Sequence, residues 1–156
     1  MLKSIQLLNA SHMLVALLLG GMMLWGGFQK FAKPLPEPSA QIEQFRAGKL
    51  GTDDLETLRI KNYIFGMKQT GYFWPFLGVC EIFAGLLLLG QVTRLAGAVI
   101  ALPMVIHIFL FHFFLEPNDI VELVKTGLLL TANLLLIGID FPKWQHLLFD
   151  KSNITF

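Results

Sequence analysis

YFWPFLGVCEIFAGLLLLG (Tyr72–Gly90), QVTR (Gln91–Arg94) and LAGAVIALPMVIHIFLFHFF (Leu95–Phe114) are two apolar runs joined by a short polar hinge. Each run is long enough, as a helix, to cross the roughly 30 Å hydrocarbon core of a bilayer. Inside the first run stands one carboxylate, Glu81, and inside the second stand two imidazoles, His107 and His112. An ionisable group at that depth is costly and faces a bundle interior or a water-filled cavity. The rest of the chain is therefore read as the shelter for these groups.

Composition agrees. Of 156 residues, 54% are hydrophobic and 15% charged, against about 45–50% and about 25% in a soluble domain. Mean hydropathy is +0.62. The pattern predicts an all-α integral membrane protein, a single domain over 1–156 with spans at about 5–30, 72–90, 93–115 and 120–140. A net charge of +1 leaves no footprint for nucleic acid. With Cys80 as the only cysteine, neither an internal disulfide nor a CxxC redox pair exists.

The first apolar run, Ile5–Phe28, exceeds a signal-peptide core and has no small-x-small cleavage site behind it, so it reads as a retained span. Gly20, Met23, Gly27 and Lys30 share one of its faces. Residues 31–70 form the polar segment between the first two spans, read as extracytoplasmic and partly helical. KPLPEP is a stiff exit, 39–47 a short helix, and Asp53 with Glu56 a capping box that opens a helix over 54–65, stopped by Gly66. Gly27, Gly78, Gly85 and Gly90 are the expected close-packing positions, Thr93 and Arg94 the hinge, and Pro103 a mid-span kink. Trp144 reads as an interface anchor, and the tail from His146 as an amphipathic piece on the membrane. Arg94, Lys3, Lys143 and Lys151 against the acidic turn 116–119 favour cytoplasmic termini.

With that orientation, Glu81 lies near mid-membrane, His107 slightly outward and His112 nearer the surface. Lys30 and Lys125 come from the outer ends of their helices. Glu81, Lys30, His107, Lys125 and Asn133 thus form the candidate ligand pocket, with Glu81 held by Lys30 or His107. The plain alternatives are a register-fixing buried ion pair and a Lys30 that snorkels to the headgroups. His107 and His112 are about 140° apart around a helix and do not chelate one metal, so no metal site and no catalytic residue is assigned. His12 reads as a packed histidine, and Asn133 with Thr126 as cross-helix hydrogen-bonding glue.

The end of the first span, GFQK (Gly27–Lys30), and the block GxxExxxGLLLLGxxTRLAGAVIAL (Gly78–Leu102) resemble the DoxX-like family of small four-helix bacterial membrane proteins, a superfamily that takes in DoxD, MauE and SURF-type proteins. The resemblance implies a four-helix bundle in the inner membrane with both termini cytoplasmic, working within a redox-linked complex. It does not deliver an activity. Three functions are carried forward. The first is a membrane-complex subunit that binds a protein partner, a second copy of itself or a lipid. The second is a quinone-linked oxidoreductase subunit built around Glu81, with a quinone as its bound molecule. The third is a small transporter, weakened by the lack of internal repeats.

Overall fold

Glycines seven residues apart on two helices let the helices meet backbone to backbone, and the computed structural model is built on such a seam. It describes residues 2–32 and 55–142, together with positions 43 and 47. All elements among the described residues are helices: α1 (Leu2–Gln29), α2 (Leu55–Gln69), α3 (Phe73–Leu89), α4 (Arg94–Leu115) and α5 (Ile120–Ile139). The helix expected over 39–47 lies outside the described residues apart from positions 43 and 47. KPLPEP, Trp144 and the tail lie wholly outside them.

Three helices are long and apolar enough to cross a membrane: α1 over Ala10–Gln29, α4 and α5. The 17-residue α3 rises about 25 Å. It counts towards a fourth span only together with α2, from which it is bent by 88°. The chain is thus a multi-pass membrane protein whose outer faces touch lipid. Leu18, Trp25, Phe28, Phe76, Phe83 and Leu128 are exposed, as a surface against lipid requires.

The helices pack in chain order, α1 on α3, α3 on α4 and α4 on α5, and α5 returns to α1. The α1–α3 seam is antiparallel. Gly20 meets Gly85, and Gly27 meets Gly78, so closely that a methyl group on Gly27 would lie 2.8 Å from the Gly78 carbonyl oxygen. A methyl on Gly85 would lie 2.9 Å from the Gly20 carbonyl oxygen. Gly97, not Gly90, plays this part between α3 and α4, where a methyl would lie 2.6 Å from the Leu88 nitrogen. Gly90 instead caps α3 in an extended conformation and faces Thr93. The core these approaches permit is made of small residues and a few large ones, among them Ala84, Ala98, Ala101, Leu19, Leu88 and Val105.

Polar side chains fix the turns. The Thr93 hydroxyl donates to the Leu87 carbonyl at 2.8 Å, satisfying an end group of α3. Arg94 Nε lies 3.3 Å from Asp140 Oδ2, tying the hinge to the end of α5. Asp119 caps α5 by accepting from the Glu122 N–H at 3.0 Å. Pro75 occupies the first turn of α3, where its missing donor costs nothing, and α4 runs unbroken through Pro103.

The expected stop at Gly66 is corrected: α2 continues through it to Gln69. A helix tolerates an internal glycine at a cost of about 1 kcal/mol, whereas a left-handed residue ends it. That residue is Gly71, with φ of +73°. Beside it the Thr70 hydroxyl donates to the Met67 carbonyl at 2.8 Å and accepts from the Phe73 N–H at 3.0 Å. The corner swings α2 across the end of the bundle where α1 finishes, α3 begins and α4 finishes.

Gly27→Ala should lower the unfolding free energy of the detergent-solubilised protein by about 1–3 kcal/mol through overpacking. Gly21→Ala, with nothing within 4 Å of its added methyl, serves as the control and should leave it unchanged. Denaturant titration of the two variants checks this.

Candidate functional site

Lys30 is the residue after α1, held in a turn by its N–H bond to the Gly27 carbonyl at 3.2 Å. Its side chain folds back along α1. Nζ reaches Glu81 Oε2 at 2.6 Å and the Gly26 carbonyl at 3.4 Å. Gly26 makes room for this, since a methyl there would lie 3.3 Å from Glu81 Oε2. The Glu81 side chain is 4% exposed and that of Lys30 12%, so the pair is nearly dry. Separating such a pair costs far more than its formation contributes. Lys30 Nζ also stands 5.2 Å from the centre of the Trp74 ring, and Lys68 Nζ from α2 stands 4.7 Å from the same centre.

A second polar pair closes the other side. The Tyr63 hydroxyl on α2 lies 2.7 Å from His107 Nε2 on α4, and the two rings stack with centroids 5.8 Å apart. Phe111, one turn on from His107 in α4, also packs on Tyr63, 5.7 Å between centroids. His112 Nδ1, one turn beyond, is 2.6 Å from Glu116 Oε2. Between the two pairs lies a cavity of about 180 Å³, floored by Glu81 and Lys30 and walled by Tyr63, Trp74 and His107. Ile64, Met67, Leu77 and Ile108 supply its apolar lining. A hydrogen-bonded ion pair, a phenol–imidazole pair and an indole on an otherwise apolar cavity suit a molecule with a polar head and an apolar body.

Of the five residues read from the sequence, Glu81, Lys30 and His107 meet here. Lys125 does not: it is 61% exposed and bonds Glu122 at 2.6 Å on its own helix. Asn133 is fully buried elsewhere in the bundle, and neither atom of its amide has a hydrogen-bond partner among the described residues. The expected cross-helix bond through Thr126 is also corrected. Its hydroxyl donates to the Glu122 carbonyl at 2.8 Å within α5, the back-bonding that threonine readily makes in a helix. Glu81 is held by Lys30, and His107 by Tyr63.

Tyr63, Trp74, Gly26 and Lys68 were missed. Tyr63 lies in an irregular apolar set on α2, and Trp74 stands in the aromatic run Tyr72–Phe73–Trp74. Neither carries a local sign of what faces it. The spacing of Gly26 and Lys30, one helical turn apart, was the available signal. Among the described residues no three His, Cys, Asp or Glu side chains are placed to hold a metal.

The DoxX family profile matches residues 12–113, about two-thirds of the chain. The chain belongs to the DoxX family. No curated protein and no solved structure matches it significantly. The DoxX match takes in every residue of the cavity and ends before α5, which holds Lys125 and Asn133.

Removing one partner of the pair should be worse than removing both. Lys30→Met should cost about 3–5 kcal/mol by leaving Glu81 buried alone. The double variant Lys30→Met, Glu81→Leu should recover much of that loss in the same unfolding assay. Tyr63→Phe should speed hydrogen exchange in α2 by roughly 2- to 10-fold, the equivalent of a bond of about 0.5–1.5 kcal/mol, and leave α1 unchanged.

Proposed function

We propose that this DoxX-family protein is a non-catalytic component of a bacterial inner-membrane complex that binds a lipid-soluble ligand. In this reading α3 completes a four-span bundle, the termini are cytoplasmic, and the segment with α2 lies outside, capping the cavity. The observation that carries the reading is the joining of two hydrogen-bonded polar pairs and an indole to an apolar wall in one small cavity. At about 180 Å³ it is smaller than the roughly 300–1,000 Å³ of sites that enclose a whole drug-sized molecule. It fits a head group whose tail stays in the bilayer. Contact between protein partners would then use the outer segment around it.

A quinone-linked oxidoreductase subunit is the second reading. It is favoured by the donors and acceptors of Lys30, Glu81, Tyr63 and His107 on the same cavity, since a quinone ring offers two carbonyls to such groups. Glu81 would accept the proton that accompanies reduction.

Purification from native membranes in mild detergent, with mass spectrometry of everything retained, tests both. The first reading expects about one lipid-soluble molecule per chain, at least 5-fold depleted in Trp74→Ala. Retained quinone, together with loss of turnover but not of folding in Glu81→Gln, would replace it with the second. Recovery of the protein without any stoichiometric amphiphile contradicts both.

A further inference from the structure

Among the described residues, one ammonium group beside the cavity has no carboxylate partner. Lys30 is neutralised by Glu81 at 2.6 Å, and His112 has Glu116 beside it. Lys68 has no carboxylate partner among the described residues, yet it is half-buried and holds its ammonium 4.7 Å from the Trp74 ring centre. Lys30 Nζ lies 5.2 Å from that centre, so the two ammonium groups are at most about 10 Å apart. In water with physiological salt that is about one Debye length. The rest of α2 is basic as well: Arg59, Lys61 and Lys68 stand against the single acidic residue Glu56.

A cation over an indole gains about 0.5–2 kcal/mol, which holds Lys68 in place but does not cancel its charge. An anion seated beside Trp74, at the edge of the cavity, would meet Lys68 over that ring, while Lys30 stays paired with Glu81. Ile64, Met67 and Leu77 would pack on the first carbons behind the head, and the rest of the tail would stay in the bilayer.

Resting on the reading that the cavity takes an amphiphile, we propose that the ligand is anionic: an acyl chain with a carboxylate or phosphate head, bound with Lys68 as its counter-charge. Lys68 then selects between ligands that the apolar wall alone does not distinguish. The shared chemistry is one negative head on an apolar tail, and its two sources are a free fatty acid and an anionic phospholipid.

The test uses the full chain, delipidated in a neutral detergent and offered four amphiphiles one at a time: oleate, phosphatidylglycerol, phosphatidylcholine and uncharged monoolein. Bound amphiphile is counted by native mass spectrometry for the wild type, Lys68→Gln, Lys68→Arg and the control Lys125→Gln. The expected result is at least a 10-fold preference of the wild type for an anionic over both uncharged-overall amphiphiles. Lys68→Gln should cut that preference by roughly 5- to 10-fold while still binding, and Lys68→Arg and Lys125→Gln should keep it. Preference for oleate alone names the fatty acid as the source, and preference for phosphatidylglycerol names the phospholipid. Equal retention of all four by the wild type, or an unchanged preference in Lys68→Gln, overturns the charge assignment and leaves the cavity reading standing. Retention of none by the wild type overturns both. An unfolding curve for Lys68→Gln that matches the wild type's ensures that a lost preference is read as lost recognition.

Discussion

Taking an ammonium and a carboxylate out of water costs several kcal/mol for each ion, and only close, well-partnered contact offsets it. The bond of Lys30 to Glu81, 2.6 Å long, is the constraint to which this end of the bundle conforms. It requires α1 to stop one residue before Lys30, so that the side chain can fold back. It requires a glycine at position 26, so that the carboxylate has room over α1. It also requires α1 and α3 to approach closely in antiparallel register, which the Gly20–Gly85 and Gly27–Gly78 contacts provide. A one-residue slip in that seam would part the charges.

The same end is finished by a corner. Gly71, in the left-handed region, and the two bonds of the Thr70 hydroxyl turn the chain through 88° between α2 and α3. The turn lays Tyr63 against His107 and Lys68 against Trp74. The cavity is therefore a product of three local devices in different parts of the chain: a glycine seam, a helix corner and an ion pair. The opposite end is held separately by Arg94 with Asp140 and by the Thr93 bond to α3.

Hydropathy and glycine spacing made the helices, the hinge at Thr93–Arg94 and the tight approach of Gly27, Gly78 and Gly85 readable from the chain, and the block around Glu81 pointed to the DoxX family. The site was readable in part. Glu81 stands out because a carboxylate among leucines has few explanations, and Lys30 was a candidate partner because its helix ends at the right depth. Lys125 and Asn133 were grouped with them by depth alone, but depth does not fix rotation. On α5 the rotation turns Lys125 outward to Glu122 and Asn133 into a different part of the core. Tyr63 and Trp74 were illegible for another reason. Their partners are distant in sequence, and the α2–α3 corner that joins them depends on Gly71, whereas Gly66 carried the stronger local stop signal.

The position of the Lys30 ammonium decides how this end of the bundle is built. A structure of the protein in a lipid nanodisc, at a resolution that shows side chains, measures this directly. The predicted result is Lys30 Nζ within hydrogen-bonding distance of Glu81 beneath Trp74, with α2 folded across the bundle end and an ordered molecule between Tyr63 and Trp74. Lys30 extended to the headgroups, with Glu81 bonded elsewhere and α2 swung away from His107, would contradict it.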